Sequence, residues 1–421
     1  MELINNNQVP EGYKKIEVGV IPDWKVLRIK DIAPLQRGFD LPTSQVKKGN
    51  YPVVYSNGVM NYHSEFMVNG PGVITGRSGT IGNVHYVSEN YWPHNTALWV
   101  TDFIDSHPKY IYYLYKFLKL ERFGTGSGVP TLNRNDVHDL IVAIPKLEEQ
   151  KAIAQTLSDV DVLIAALDKL IAKKRNIKTG TMQQLLTGKT RLPGFGEGKG
   201  YKKTEVGVIP EDWEVVTLGN IGQSLIGLTY KPENIRNYGT LVLRSSNVKD
   251  NNLIYNDNVY IDDKLSLPSR VIVEEGDILV CVRNGSRQLI GKCALIDSIA
   301  AGSAFGAFMS VFRTKVYEFV FYQFQSDGIK KQINEIMGAT INQITNKDLN
   351  AFQIPVPPSE QEQQAIAQVL SDINTEITAL EKRRTKTQAI KQGMMQELLT
   401  GRTRLKFEPP DDDPITKNSN G

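Results

Sequence analysis

The sequence is poor in cysteine, in long apolar runs and in export signals. Its two cysteines, Cys281 and Cys293, exclude a disulfide framework and fit a reducing compartment. No apolar run approaches the roughly 18 residues that span a membrane, and the polar start MELINNNQVP has no signal-peptide pattern. These absences predict a soluble, cytoplasmic protein without a membrane partner.

Charge of either sign is also not in large excess. The net charge of +3 on 421 residues neither requires nor excludes nucleic acid as a partner. A chain of this length exceeds what one hydrophobic core usually supports, so we expect two or more domains.

What the sequence does contain is a long internal repeat. The opener GYKKIEVGVIP, residues 12–22, returns as GYKKTEVGVIP, residues 200–210. A helix-like segment, residues 149–192, aligns without a gap on residues 362–405, and both copies close on LLTG and TRL. The chain therefore has the order opener, variable block, long helix, and then the same order again.

The two variable blocks share much less. GSGVPTLNRNDV from Gly126 lies over GATINQITNKDL from Gly338, and IGNVHYV from Ile81 loosely resembles IGKCALI from Ile290. Strand-like runs occur in both blocks, namely GVITG, NVHYV and ALWV in the first and DILVCVR and FMSVFR in the second. The pattern predicts one fold that carries two different surfaces.

Each long segment has the apolar spacing of a packed helix. Steps of three and four residues connect Leu157, Val160, Ile164, Leu167 and Ile171 in the first copy and Leu370, Ile373, Ile377 and Leu380 in the second. Ser359 and Glu362 are spaced as a capping box, and Gly188 and Gly401 suit helix ends. We predict two helices of about 38 residues, each roughly 57 Å long.

The two apolar stripes match, so the simplest partner for each helix is the other, packed antiparallel. Such a pair would hold the two blocks at opposite ends of a rod, related by a pseudo-twofold axis. This arrangement suits a DNA target divided into two parts, because major grooves facing one side recur every ~34–36 Å. A plain dimerising or spacing coiled coil is the simpler alternative.

Residues suited to catalysis are scarce in both blocks. All five histidines (His63, His85, His94, His107, His138) lie in the first block, which argues against a duplicated histidine site. Cys281 and Cys293 lack CxxC spacing and are expected to be buried core thiols. The chain has no phosphate-binding loop, no GxSxG and no Asn/Asp-Pro-Pro-aromatic motif of DNA amino-methyltransferases. We predict no catalytic residue, no metal site and no cofactor bound by this chain.

The loops of both blocks are rich in side chains that can contact nucleic acid. Arginine can pair with guanine, and asparagine or glutamine with adenine, in the major groove. The candidates in the first block are Arg37, Tyr62, Arg77, Ser78, Thr80, Asn95, Thr131, Asn133 and Arg134. Those in the second are Tyr230, Lys231, Arg244, Ser246, Asn247, Arg283, Asn284, Arg287, Gln288, Asn342 and Gln343. Each alone fits an ordinary solvated loop residue, but their recurrence in corresponding loops favours a binding surface.

Together these segments resemble the specificity subunit of type I DNA restriction-modification enzymes. The resemblance is carried by the paired openers, by PKLEEQKAIAQTLSDVD with PPSEQEQQAIAQVLSDIN, and by QQLLTGKTRL with QELLTGRTRL. It covers nearly the whole chain, and the duplicated arrangement is highly specific.

The resemblance implies two target-recognition domains, each of which reads one half of a bipartite sequence in double-stranded DNA. It also implies that the helices fix the gap between the halves and dock two methylation subunits. Those subunits would bind S-adenosylmethionine and methylate adenine, and restriction subunits would use ATP and Mg²⁺ to translocate and cleave DNA. The chain itself would be non-catalytic.

The expected fold class is α+β, with two similar β-rich domains, short helices and two long antiparallel helices. The expected divisions are residues 1–147 and 189–358 for the two domains with their openers, 148–188 and 359–405 for the two helices, and 406–421 for a flexible tail. A stand-alone DNA methyltransferase or nuclease fusion, and a coiled-coil adaptor without a DNA role, are the alternatives.

Overall fold

The structure is a computed structural model, and it describes residues 13–16, 19–126, 128–196, 198–337 and 342–405. The expected flexible tail, residues 406–421, lies outside the described residues. The chain forms two compact units. The first unit runs to Asp168 and resumes at Lys382, and the second unit is Lys169–Glu381. Each unit therefore combines one variable block with half of each long helix, whereas the sequence-based division set the helices apart.

The first half of the chain alternates short strands with short helices before one long helix. Its strands are β1 (Tyr13–Ile16), β2 (Gly19–Pro22), β3 (Lys25–Arg28), β4 (Leu35–Arg37), β5 (Tyr51–Tyr55), β6 (Gly58–His63), β7 (Gly72–Gly76), β8 (Val84–Val87), β9 (Trp92–Pro93), β10 (Ala97–Val100), β11 (Gly124–Thr125), β12 (Thr131–Leu132) and β13 (Ile141–Ile144). Its helices are α1 (Pro108–Leu118), α2 (Arg134–His138) and α3 (Leu147–Leu185).

The second half repeats this plan. Its strands are β14 (Tyr201–Thr204), β15 (Gly207–Pro210), β16 (Glu214–Thr217), β17 (Gly222–Ile226), β18 (Ile235–Arg236), β19 (Thr240–Leu243), β20 (Val248–Lys249), β21 (Asn252–Leu253), β22 (Val259–Ile261), β23 (Ile278–Cys281), β24 (Cys293–Leu295), β25 (Ala304–Phe305), β26 (Met309–Thr314) and β27 (Gln353–Val356). Its helices are α4 (Leu218–Ile221), α5 (Tyr317–Gln325), α6 (Asp327–Ile336), α7 (Asn346–Ala351) and α8 (Glu360–Leu398).

Both units contain the same four-stranded antiparallel sheet. Its order is β4-β10-β7-β8 in the first unit and β17-β26-β23-β24 in the second. The second sheet of each unit differs, with order β6-β5-β9 in one and β18-β22-β19-β25 in the other. The predicted strands are confirmed, and so is the α+β class with a shared fold in both blocks.

A two-stranded ladder closes each block where it meets its long helix. In the first unit β3 pairs with β13, so that Lys25 lies opposite Ile144. In the second unit β16 pairs with β27, so that Glu214 lies opposite Val356. The beginning and the end of each block are therefore neighbours, and each block is a self-contained module.

The beginning of each long helix belongs to the hydrophobic core of its unit. Ile153, Ala154 and Leu157 pack with Tyr110 and Tyr113 in the first unit. Ile366, Ala367 and Leu370 occupy the matching place in the core of the second unit. Because burial of apolar side chains is the main stabilising term of folding, these cores fix each helix to its block.

Within each unit the two long helices run antiparallel, as predicted. In the first unit Lys391 pairs with Asp161, and Arg384 pairs with Asp168 nearer the middle of the helices. The order of the partners is reversed along the two helices, which is the mark of an antiparallel pair. In the second unit the side chains of Lys174 and Glu376 lie 2.8 Å apart and Lys178 donates to Asn374 at 2.8 Å, so the order is reversed there as well.

The apolar stripes of the two long helices are buried to different degrees along their length. Leu157 and Leu370 are buried in the domain cores, while Val160, Ile164, Ile373 and Leu380 are half-buried. Each stripe therefore begins in the core of its own block, and the predicted packing of one stripe on the other stays a prediction.

The three repeated segments meet in an arginine clamp in each unit. In the first unit Arg404 donates to both carboxylate oxygens of Glu149, at 2.6 and 2.7 Å, and to Asp23 at 3.1 Å. The guanidinium also lies over the ring of Trp24, 5.7 Å from its centroid, and the Trp24 indole donates to Glu149 at 3.3 Å. The opener end, the helix beginning and the TRL ending are thereby joined.

The second unit repeats the arginine clamp with the other copies of the same segments. Arg191 donates to Glu362 at 2.5 and 2.6 Å and to Asp212 at 3.0 Å, and it lies over Trp213. Glu149 and Glu362 are each 1% exposed. A buried carboxylate needs such a bidentate partner, so the repetition of all three segments has a common physical cause.

The clamp also corrects the predicted capping box. The Ser359 hydroxyl accepts from the Glu362 amide, as a cap should. The Glu362 carboxylate, however, binds Arg191 instead of turning back to the Ser359 amide. Gly188 and Gly401, expected at the helix ends, have φ of +67° and +69°. A Cβ on Gly188 would lie 2.5 Å from Pro210, so both the backbone and the space require glycine.

Candidate nucleic-acid interface

Three loops meet at one end of the four-stranded sheet in the first unit. They are residues 77–79 after β7, Thr96 before β10 and residues 130–132 around β12. Their backbone hydrogen bonds are Arg77 N to Thr96 O at 2.9 Å, Ser78 N to Thr96 O at 3.1 Å, Gly79 N to Pro130 O at 3.0 Å and Leu132 N to Arg77 O at 2.8 Å. We call this arrangement the loop junction.

The second unit builds the loop junction with the same four bonds, from residues 282–284, Phe308 and 342–344. They are Val282 N to Phe308 O at 3.1 Å, Arg283 N to Phe308 O at 3.1 Å, Asn284 N to Asn342 O at 3.4 Å and Ile344 N to Val282 O at 2.8 Å. An isolated antiparallel bridge joins Ser78 to Thr131 in one unit and Arg283 to Gln343 in the other. The two backbones therefore correspond residue by residue.

This correspondence refines the recurrence expected from the sequence. The counterpart of Arg283 is Ser78, and the counterpart of Arg77 is Val282, so the two arginines do not occupy the same position. The faint repeat from Gly126 and Gly338 is borne out where it can be compared, because Thr131 corresponds to Gln343. The same loop-junction backbone therefore carries Ser78, Gly79, Thr96 and Thr131 in the first unit and Arg283, Asn284, Phe308 and Gln343 in the second.

The edge strand of the sheet supplies one more matched position. Gly38 and Gly227 each lie against the neighbouring loop, where a Cβ would be 2.3 Å from the His94 oxygen and 2.2 Å from the Gly306 oxygen. The residues just before them are Arg37 and Ile226, and both are exposed. At the end of the edge strand, the first unit therefore exposes an arginine where the second unit exposes an aliphatic side chain.

In the first unit several predicted residues gather around the loop junction. Arg37 pairs with Asp40 at 2.9 Å, Asn95 also donates to Asp40, and Arg77 donates to the Asn95 carbonyl at 3.3 Å. Ser78 and Thr131 are half-buried at the bridge. These side chains form a polar surface without an apolar member.

The remaining predicted residues of the first unit have separate places. Thr80 is exposed beyond the junction, and Tyr62 is exposed on β6. Asn133 caps α2 by accepting from the Asn135 amide at 3.1 Å, and Arg134 is exposed at the first position of that helix. Of these, Asn133 already has a structural role.

In the second unit the loop junction is richer in large side chains. The Arg283 guanidinium lies over the Phe308 ring, 5.1 Å from its centroid. Asn284 donates to the Ser245 hydroxyl at 3.2 Å, and Asn342 donates to the Gly285 carbonyl at 3.1 Å. The loop that contains Ser246, which is exposed, is thereby held next to the junction.

Asn247, a candidate for DNA contact in the sequence, has a different role in that loop. Its side chain is buried, with 0% exposure. Its oxygen accepts from the Arg244 amide at 3.0 Å, and its nitrogen donates to Ile254 O at 3.1 Å and to Asn258 at 3.2 Å. Because all its hydrogen-bonding groups are used inside the fold, Asn247 holds the loop and is not available to contact DNA.

Other predicted residues of the second unit lie away from the junction or are already paired. Arg244 binds Asp257 at 3.0 Å, and exposed Lys231 binds Glu233 at 3.4 Å. Tyr230 is half-buried against a small apolar cluster. These three side chains are less free to contact a ligand than Arg283.

Arg287 and Gln288 line a separate cleft of about 960 Å³ in the second unit. The cationic lining residues are Arg175, Lys178, Lys189, Arg287, Lys292 and Lys330, and the acidic ones are Asp250, Asp327 and Glu381. Burial lowers the pKa of Lys178, whose ammonium donates to Asn374 at 2.8 Å. Lysine and arginine in excess over carboxylates suit a phosphate-bearing ligand.

Among the residues that the structure describes, the histidines and cysteines serve the fold and do not form a catalytic cluster. The histidines serve the fold, for example His138, which accepts from the Leu35 amide at 2.8 Å, and His63, which accepts from Lys47 at 3.0 Å. Cys281 and Cys293 are buried and free, as predicted, and burial raises the pKa of the Cys293 thiol to about 12. Over the described ranges, no group of His, Cys, Asp and Glu side chains is placed to hold a metal ion.

Among the helices that the structure describes, none combines the length and the apolar character that crossing a bilayer demands.

Sequence reasoning missed Phe308 and Ile226 as exposed residues and Thr96 as part of the loop junction. Phe308 was predicted only as the first residue of the strand-like run FMSVFR. The only signal in the sequence for the matched positions Arg37 and Ile226 is the glycine that follows each of them, Gly38 or Gly227, at a crowded point of the backbone.

One repeated loop-junction backbone that carries two different sets of side chains is the arrangement expected of a two-part recognition protein. The model of the type I restriction modification DNA specificity domain matches residues 22–175 and 210–392. The chain belongs to this family, and it contains the family's domain twice.

Relatives of known name agree with this membership. The chain is 31% identical over 307 residues to the type I restriction enzyme MjaVIII specificity subunit of Methanocaldococcus jannaschii, which covers 70% of each chain. It is 27% identical over 203 residues to the EcoKI specificity subunit of Escherichia coli strain K12, covering 46% of this chain and 43% of that one.

Solved structures share the fold. The S subunit of a type I system from M. genitalium superposes with a TM-score of 0.61 at 16% identity, covering 94% of this chain and 98% of that chain. A chain from a structure of type I system assembly and conformational transition gives 0.52 at 15% identity, covering 94% and 100%.

Proposed function

We propose that this chain is the sequence-specific DNA-binding subunit of a type I restriction-modification complex. Each unit reads one half of a bipartite site in double-stranded DNA. The observation that carries the proposal is the loop junction, which has the same backbone in both units and different side chains at every matched position. A protein that reads two different half-sites with one duplicated fold needs this combination.

The chemistry of the surfaces supports DNA as the ligand. Arginine and glutamine at the junction of the second unit match the acceptor and donor groups of guanine and adenine in the major groove. The cations of the cleft, among them Arg287 and Lys292, are suited to phosphate oxygens. Base contacts would then specify the sequence, while phosphate contacts position the duplex.

The two long helices would set the gap between the half-sites and dock the partner subunits. Both helices are continuous over 39 residues, and both carry exposed apolar side chains, such as Val162 and Leu163 on α3 and Ile390 on α8. Two methylation subunits are the partners expected there, with restriction subunits added in the full complex. The site of action is the cytoplasm, where the DNA lies.

The chemistry of modification and cleavage would belong to the partners. The methylation subunits would bind S-adenosylmethionine, and the restriction subunits would use ATP and Mg²⁺. This chain would bind none of them and would be a non-catalytic subunit.

A gel-shift and methyl-transfer experiment tests the proposal. The chain assembled with its methylation subunits is expected to bind DNA selectively and to transfer methyl groups to adenine. With six phosphate contacts, affinity should fall roughly a thousandfold between 50 and 200 mM salt. Methyl transfer by the purified chain alone would identify an enzyme fusion instead, and an assembled complex without affinity for DNA would identify an adaptor.

A further inference from the structure

We propose that the loop junction is the base-reading centre of each unit, and that Arg283 and Gln343 read a guanine and an adjacent adenine in the second half-site. This inference rests on the proposed function, and it names the positions that determine which DNA bases are recognised. These positions are Ser78, Gly79, Thr96 and Thr131 in the first unit and Arg283, Asn284, Phe308 and Gln343 in the second.

The guanidinium of Arg283 is available to contact a base. Other arginines of the second unit are engaged by carboxylates, such as Arg244 by Asp257 and Arg313 by Asp277. Within the described part of the chain, no carboxylate lies at ion-pair distance from Arg283. Its guanidinium is instead held over the Phe308 ring, a contact that orients the planar group and leaves its N–H donors open.

Arg283 and Gln343 are spaced to contact neighbouring base pairs. The antiparallel bridge places Arg283 and Gln343 directly opposite each other, where Cβ atoms lie about 4.5–5.5 Å apart. Base pairs of a duplex are stacked about 3.4 Å apart. Two side chains at this separation therefore reach neighbouring base pairs. Arginine pairs in a bidentate manner with guanine O6 and N7, and glutamine does so with adenine N6 and N7.

An exposed apolar surface lies beside Arg283. Phe308 is 56% exposed and Ile226 is 62% exposed, although both side chains would be stabilised by burial. The thymine methyl group is the apolar feature of the major groove. These two side chains therefore fit contact with a thymine next to the guanine and adenine.

The first unit supplies the contrast. Ser78 and Thr131 stand where Arg283 and Gln343 stand in the second unit, and their short hydroxyl groups cannot form the bidentate pairs. Arg37 replaces Ile226, but it is tied to Asp40. The first half-site should therefore not share the guanine-adenine step that we assign to the second.

The test uses the complex with methylation subunits and selects bound duplexes from DNA randomised over both half-sites. Arg283→Ala is expected to lower discrimination at one base pair of the second half-site by about 5- to 150-fold. Gln343→Ala should do the same at the neighbouring base pair. The first half-site, read by the unchanged unit, should keep its sequence in both variants.

A variant of the first unit tests whether the two residues can introduce the base preference at a new place. Ser78→Arg with Thr131→Gln places the two readers on the matching frame of the first unit and is expected to introduce a guanine-adenine preference there. Arg283→Lys keeps the charge without the planar fork, so it should retain affinity and lose discrimination. The control is Lys315→Ala, which removes a cation at the other end of β26, about 20 Å along the strand, and should change neither half-site.

The outcomes separate this inference from the proposed function. If Arg283→Ala weakens binding equally on all sequences, the residue holds a phosphate and the inference is wrong. Unchanged discrimination with Arg283→Ala, Arg283→Lys and Gln343→Ala would also overturn it, while a selective unmodified complex would leave the proposed function standing. An unmodified complex without any sequence selection would overturn both.

Discussion

Arg404→Ala is expected to destabilise the first unit by about 3 kcal/mol, because it leaves the buried Glu149 carboxylate without its charged partner. Both guanidinium bonds to Glu149 would be lost, together with the bond to Asp23. The Trp24 indole would remain as a weaker donor. This loss is large against the 5–15 kcal/mol that stabilise a typical domain.

Denaturant unfolding followed by tryptophan fluorescence can measure the effect. Trp24, Trp92 and Trp99 lie in the first unit and Trp213 in the second, so the signal reports mainly on the first unit. Arg191→Ala is the matched variant and should destabilise the second unit instead. Arg404→Lys should recover only part of the loss, because a lysine cannot form the bidentate pair.

A double variant tells the mechanism apart from simple loss of packing. Glu149→Gln removes the charge that Arg404 neutralises, so Arg404→Ala should cost less in that background. An unchanged unfolding midpoint in Arg404→Ala would refute the clamp as a stabilising device. Equal costs in both backgrounds would show that the charge of Glu149 is not the reason.

Exchange of the first block, residues 23–145, for that of another specificity subunit is expected to change the recognised DNA sequence. We expect a new first half-site and an unchanged second half-site. The physical reason is that Lys25 lies opposite Ile144 in the ladder that closes the block. The block can therefore be replaced as a module without a break in the chain path.

The exchange needs matching contacts to the long helix. Tyr113 donates to Asp161 at 2.8 Å, Lys109 donates to Ser158 at 2.8 Å, and His107 donates through its amide to Gln150 at 2.9 Å. The block that replaces the first block should therefore keep side chains or amides that can donate to Asp161, Ser158 and Gln150 of the long helix. The reciprocal exchange of residues 214–356 is the control and should change the second half-site alone. A first-block exchange that altered the second half-site would contradict the modular account.

Much of this fold was predictable because the repeat is written in local patterns. Hydrophobic periodicity located the beginning of each long helix to within one residue, although the second helix was expected to run to residue 405 and ends at Leu398. Short apolar runs located the central strands, such as Gly72–Gly76 and Ile278–Cys281. Such patterns depend on neighbours in sequence, which a single chain displays directly.

The arginine clamp could not be predicted, although each of its segments stood out as a repeat. Glu149 and Arg404 are 255 positions apart, and nothing local indicates that they meet. For the same reason the sequence did not show that each long helix begins inside the core of its own block. The structure shows that Leu157 and Leu370 are core residues of their units.

The candidate site was predictable in residue type and only partly in position. Arg283 and Gln343 were expected from their loops, and the loop junction brings them together. Asn247 was expected at the surface because it follows Arg244 and Ser246, but its side chain caps its own loop. Whether a loop asparagine points outward or inward depends on backbone groups that become neighbours only after folding.

Sequencing of the methylome of a host that carries this chain with an active methylation subunit tests the central claim most directly. Two units that read different half-sites predict one new methylated motif with two defined, dissimilar halves separated by a gap of fixed length. A single uninterrupted motif, or two identical halves, would contradict the account.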